Sequence, residues 1–219
     1  MSIESRDVHG FEEIAFYAYG DVTIEQAEQE GLTIEADESL LKRIETQVLD
    51  GVLIIRWKAD WLESINHIFM SGLRGIPVRF HIAVKELEAL RLFGAASVSI
   101  SELRVGKFKL LLGGAGSISI DALSGETFKL ELKGAGSVRA AGNVLEQKIT
   151  VGGAGSFNGR HLKSETAKVE LKGAGSVVVY AEDELEVDLK GLGSVTYYGD
   201  PELKKVVRGL GEISQGGMS

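Results

Sequence analysis

Four glycine-rich turns ending in serine recur through this chain: GGAGSI at 113–118, KGAGSV at 133–138, GGAGSF at 152–157 and KGAGSV at 172–177. Such a loop could cradle a phosphate or present a nucleophile. The phosphate reading fails, because the turns lack the lysine and following hydroxyl residue of a P-loop and the third glycine of a dinucleotide fingerprint. An alternating apolar pattern, read as a strand, also follows each turn, whereas those motifs place phosphate at a helix N-terminus. Serine catalysis fails by multiplicity, since a nucleophile needs one site with its own base and oxyanion hole. The histidines, His9, His67, His81 and His161, are scattered without ligand spacing, and the chain has no cysteine. Neither a metal site nor a cofactor is expected.

Charged residues offer a second kind of chemistry. Lys109, Lys129, Lys148 and Lys168 share one column of the repeat, and Glu186 follows in it. Stacked lysines could form a basic stripe for an acidic glycan. Glu131, Glu170 and Asp188 lie two residues away on the same face, which favours a charge-balanced, solvated surface. The pairs Glu131/Lys133 and Glu170/Lys172 are the raw material for an alternative function, a polysaccharide lyase or hydrolase on a β-helical scaffold. The net charge of −8, from 24 Lys+Arg against 32 Asp+Glu, disfavours nucleic acid and anionic membrane as partners. No run is long and apolar enough for a transmembrane helix, and no signal peptide is visible at the N-terminus.

The elements that carry these residues follow from the repeat. The residue after each turn reads Ser97, Ser117, Ser137, Ser156, Ser176, Ser194 and Glu212, at spacings of 20, 20, 19, 20, 18 and 18. FEEIAFYAYGDVTI (11–24) aligns without gaps on LEALRLFGAASVSI (87–100), which puts Asp21 in the same column. The flanks alternate apolar and polar, as in Leu130-Glu131-Leu132 and Val169-Glu170-Leu171, the period of half-buried strands. A unit of about 20 residues with two short strands cannot bury its inner face alone, but stacked units can. The predicted fold is all-β: a right-handed parallel β-helix (β-solenoid) with rungs of about 18–20 residues. A β-sandwich or propeller is the alternative, but hairpin signals are sparse, the best being LDGV at 49–52.

On this reading the turns are structural corners. Their residues are Gly114, Gly116 and Ser117; Gly134, Gly136 and Ser137; Gly153, Gly155 and Ser156; and Gly173, Gly175 and Ser176. The glycines permit positive φ or close backbone approach, and the serines are expected to bond a neighbouring group. The column between the glycines holds Ala95, Ala115, Ala135, Ala154 and Ala174, with Tyr19, Leu192 and Leu210 at the ends. It either lines a tightly stacked interior or points outward.

The chain is read as one β-solenoid domain over 1–219, with a less regular part at 25–86 and regular repeats at 87–213. The irregular part reads as strands at 32–36, 43–49, 52–58 and 77–84, with a helical turn near 39–41. The stretch 60–75 carries Trp61, His67, Phe69 and Met70. It either caps the rod or exposes a contact surface, with Trp61, His67 and Phe69 as candidate ligand-binding residues.

The sequence resembles the auto-transporter adhesin head GIN domain family. The likeness lies in RDVHGFEEIAFYAYGDVTIEQ, LTIEADESLLKRIETQVLDGVLIIRW, the repeated GAGSV-type turns and GSVTYYGDPELKKVVRGLGEI, and spans about residues 6–213. The resemblance implies a right-handed β-helix and a noncatalytic, adhesin-like binding or structural module of the bacterial cell envelope. It implies an extracytoplasmic location, although without a visible signal peptide the cytoplasm stays open. The implied partners are glycan, lipid or protein at the cell surface, and self-assembly through exposed rod ends or the 60–75 loop is a third reading. No catalytic residues come with the family.

Overall fold

A computed structural model describes residues 1–58 and 77–217. Strands account for 74% of the chain and helix for 2%, arranged as a β-solenoid of about 6 turns. The chain begins with β1 (Ser2–Arg6), β2 (Glu13–Phe16), β3 (Tyr19–Gln26) and β4 (Gly31–Ala36). One helical turn, α1 (Glu38–Leu41), and a hairpin of β5 (Ile44–Leu49) and β6 (Val52–Trp57) follow. β7 (Arg79–Val84) and β8 (Ala89–Leu92) lead into four long strands: β9 (Ala95–Leu112), β10 (Ala115–Leu132), β11 (Ala135–Val151) and β12 (Ala154–Leu171). The last rungs are split into β13 (Ala174–Tyr180), β14 (Glu184–Leu189), β15 (Leu192–Tyr198), β16 (Glu202–Val207) and β17 (Leu210–Gln215).

Successive rungs pair in parallel, with every corner in register. Ser97 lies beside Ser117, Ser117 beside Ser137, Ser137 beside Ser156, and so on through Ser176 and Ser194 to Glu212. Parallel stacking of this kind excludes the sandwich and propeller, which are built from hairpins. The one strong hairpin signal does form a hairpin: β5 and β6 are antiparallel, with Asp50 and Gly51 at φ 49° and 76°. Positive φ at both central residues is the two-residue turn that Asp-Gly favours.

Each 20-residue rung has three paired segments rather than the two read from the sequence. In β10 the pairing with β9 covers 115–120, 122–125 and 127–132. The short middle segment escapes a period-two reading because burial stops alternating around it; only Leu103 and Leu123 point inward there. From β13 onward the rungs shorten to 18 residues, and a turn replaces the middle segment.

The shortening strands two carbonyls inside the solenoid. Gln147 replaces phenylalanine in the core column Phe108–Phe128, whose rings stack at 6.0 Å. Its Nε2 donates to Leu162 O at 2.9 Å, Ser164 Oγ at 3.0 Å and Tyr180 O at 3.1 Å, and Ser164 Oγ donates to Tyr180 O at 2.9 Å. These two are the buried polar side chains among the described residues, and they sit where the rung length changes.

The irregularity of 25–86 has a topological cause. β3 lies between β7 and β9, and β2 lies between β6 and β8. The first rung of the chain is therefore inserted between two rungs that come later in sequence. This accounts for the gapless alignment of 11–24 on 87–100: the two segments are stacked neighbours, with Ile14 beside Leu90 and Asp21 beside Ser97. Asp21 is consequently not in an outermost copy, since Arg79 flanks it on its other side. Beyond β7 the sheet ends in antiparallel β4 and β1.

Gly136 owes its identity to close approach. A Cβ there would fall against the carbonyl oxygen of Gly116 in the preceding rung, too close for any side chain. Gly136→Val should destabilise by several kcal/mol, above the roughly 1 kcal/mol typical of point changes. Gly211 faces the same obstruction from Gly193, but β17 is a terminal strand that can shift away. Gly211→Val should cost clearly less, and denaturant melts of the two variants compare them directly. In a second series, Gln147→Ala should lose about 2–4 kcal/mol, from unpaired carbonyls and a cavity. Equal stability of Gln147→Ala and wild type would contradict the role given to the buried amide.

Candidate ligand-binding surface

The rungs present two unlike faces. Outward positions just after the corner carry small, mostly uncharged groups: Ala115, Ser117 and Ser119 in one rung, Ala154, Ser156 and Asn158 in another. Outward positions before the corner carry lysines and carboxylates.

On the first face the alanine column is exposed at Ala95, Ala115, Ala135, Ala154 and Ala174, so of its two readings the outward one holds. Leu192 and Leu210 continue it at 56% and 78% exposure. The serine column points the same way, because each serine sits between two inward residues, as Ser117 does between Gly116 and Ile118. The expectation that these hydroxyls bond a neighbouring group is corrected here. Among the described residues, none of the column serines has a side-chain hydrogen bond to protein. A shallow depression of about 450 Å³ lies over Asp21, Ala95, Ser97, Ala115 and Ser117.

On the second face the lysine column is ion-paired at Lys129, Lys148 and Lys168, while Lys109 has no ion pair among the described residues. Glu131 accepts from Lys129 at 2.8 Å and Lys133 at 2.9 Å. Glu170 accepts from Lys190 at 2.9 Å and Lys172 at 3.0 Å, Lys168 reaches Glu186 at 2.8 Å, and Lys148 reaches Glu146 at 2.7 Å. Hydrogen bonds from Lys129 and then Lys133 hold the Glu131 carboxyl down to about 2. Lys190 and Lys172 lower Glu170 in the same way, and Lys190 and Arg208 lower Asp188. A general acid needs the opposite, a carboxyl raised toward the working pH. The geometry favours the ionised form of Glu131, Glu170 and Asp188 within a lattice of ion pairs.

The corner glycines and serines named from the sequence form one continuous edge of stacked turns. The three candidate ligand-binding residues, Trp61, His67 and Phe69, lie outside the described residues. Sequence reasoning missed an aromatic pair at the corner, Tyr17 stacked on Phe93 with centroids 4.9 Å apart and both rings partly exposed. The signal was available, since the gapless alignment of 11–24 on 87–100 superposes these two positions. No cluster of three or more His, Asp or Glu side chains suited to a metal occurs among the described residues, nor any helix long and apolar enough to cross a membrane.

The chain belongs to the family described as "Putative auto-transporter adhesin, head GIN domain", whose model matches residues 10–201. Solved structures share the fold. A putative adhesin from Bacteroides fragilis superposes with a TM-score of 0.88 at 18% identity, covering 98% of this chain and 96% of the other. A putative lipid binding protein from Parabacteroides distasonis gives 0.75 at 22% identity, covering 99% and 96%. A putative adhesin from Parabacteroides merdae gives 0.70 at 17%, again covering 99% and 96%. No curated protein matches the chain.

The Glu131 cluster predicts an acid limb. Its carboxyl is depressed from an ordinary 4.5 to about 2, so it favours the folded state above 4.5 and loses that effect as pH falls through about 2. Solvent screening keeps the contribution to about 0.5–1 kcal/mol. Glu131→Gln should be less stable than wild type at pH 7, with the difference shrinking toward pH 2 and vanishing below it. Urea melts at both pH values measure it, and a difference that grows toward pH 2 would refute the assignment.

Proposed function

We propose that the chain is a noncatalytic binding module of the bacterial cell envelope that holds a neutral glycan against its serine face. The observation that carries this reading is the column Ser97, Ser117, Ser137, Ser156, Ser176 and Ser194, whose hydroxyls face outward without protein partners among the described residues. They recur at the interstrand spacing of about 4.8 Å on a face kept flat by alanines. A polyol chain lying along that face can exchange hydrogen bonds with successive rungs at little conformational cost to the protein.

The ion-paired face supports a noncatalytic role, because its carboxylates are bound by lysines and held ionised. The lipid reading, suggested by the name of one structural relative, finds less support. The interior is filled by side chains such as Phe108, Phe128 and Phe157, all fully buried, so an acyl chain would have to lie outside. Membership of an adhesin family supports an extracytoplasmic location.

A glycan array combined with a polysaccharide degradation panel tests the proposal. Wild type should retain neutral glycans and release no fragments. Ser117→Ala/Ser137→Ala/Ser156→Ala should lose at least about tenfold in affinity while stability changes little, as surface substitutions do. Unchanged affinity would move the ligand to another surface, and released fragments would make the protein an enzyme.

A further inference from the structure

The two ends of the solenoid are finished differently. One is closed by the antiparallel strands β1 and β4 and the hairpin strand β5. At the other, β16 pairs with β14 and β17 with β15, and their outer edges carry no strand among the described residues. Val206, Val207 and Leu210 are 51%, 48% and 78% exposed there. The core column Leu110, Leu130, Ile149, Val169 and Val187 terminates in Lys205. Bare edges with apolar neighbours are templates for further pairing.

We infer that these edges join two copies of the chain tail to tail, about a two-fold axis through the Arg208–Gly209 corner. Such an axis lies across the solenoid and reverses strand direction, so β16 of one copy runs antiparallel to β17 of the other. In an antiparallel pair, opposed residues point to the same face, and slipping by one residue would exchange inside for outside. Few registers remain. The one centred on the corner sets Val206 against Leu210 of the second copy and Lys204 against Glu212 of the second copy. Inside, it sets Leu203 against Ile213 and Lys205 against Gly211, where the missing side chain leaves room for the lysine stem. Shifting by two residues one way opposes Glu202 and Glu212. Shifting the other way opposes Val206 to Glu212 and Lys205 to Ile213.

Existing contacts accommodate this register. Lys204 already bonds Glu184, and Glu212 has no ion pair among the described residues, so the ammonium can bridge both carboxylates. The two Arg208 side chains meet at the axis, but each is held by Asp188 through bonds of 2.9 and 3.1 Å, which offsets their repulsion. The axis makes every contact twice and closes the assembly at two copies, so the bare edges do not propagate into a fibre.

Sedimentation equilibrium on the full chain tests the inference, with circular dichroism checking that each variant folds. Wild type should be a dimer. Lys204→Glu and Glu212→Lys should each raise the dimer dissociation constant at least about tenfold, since two symmetry-related like-charge pairs arise. The double reversal should restore it, and Leu210→Lys should be monomeric. A monomeric wild type overturns the proposal, as do open-ended oligomers. So does a dimer indifferent to the single reversals, or one that the double reversal fails to rescue.

Discussion

Everything in this molecule hangs on one backbone contact at the corner. In the regular rungs, a carbonyl at the end of one rung accepts from two successive amides of the next. Leu112 O takes Lys133 N at 2.9 Å and Gly134 N at 3.0 Å, and Gly114 O then takes Ala135 N at 3.0 Å. The same triple contact recurs from Leu92 to Leu189. It draws consecutive corners so close that a Cβ on Gly134 would overlap the carbonyls of Gly113 and Gly114. Glycine is thus the condition for the contact, and the contact sets the register of both flanking strands. Once corners are locked, leucine must stack on leucine and serine on serine. The columns of the core and of both surfaces follow from a constraint on a few glycines.

Charge is partitioned around the rung. On the lysine face, neighbouring columns of opposite sign neutralise each other within and between rungs, so like charges stacked about 4.8 Å apart do not accumulate repulsion. The serine face needs no such compensation, and its side chains are left small and mostly neutral. The same stacking that makes a lysine column tolerable only with carboxylates beside it makes a serine column available to solvent. Two surfaces of different chemistry arise from one repeat, separated by a turn.

Much of this was legible in the sequence, because equal spacing and period-two alternation carry directly into stacked rungs. The serine column, the hairpin at Asp50-Gly51 and the strands of the irregular part all stood there to be read. What escaped was whatever depends on neighbours distant in sequence. The middle segment around Leu103 and Leu123 is too short to show alternation. The placement of the 11–24 rung shows only as a resemblance to 87–100, which does not say that the two segments touch. The direction of the serines follows from parity, yet a hydroxyl at a corner invites the assumption of a bond. Gln147 reads as an ordinary polar residue until the carbonyls of Leu162 and Tyr180 are seen to converge on it. The site was less legible than the fold, since repetition specifies a surface but not what rests on it.

The inserted rung imposes an order on how the molecule can assemble. Turns in the middle of the chain contact only turns about 20 residues away, so they can zip up one on another as soon as a nucleus exists. β2 and β3 cannot join such a process from their own end of the chain. Their partners are β6 and β7 on one side and β8 and β9 on the other, which lie up to 76 positions later. Made before all of their partners, these strands have no ladder until β6 and β7 exist, and their second side stays open until β8 and β9 follow. The rung formed by β2 and β3 is thereby seated only after strands made later than itself, as a keystone between the closed end and the regular stack.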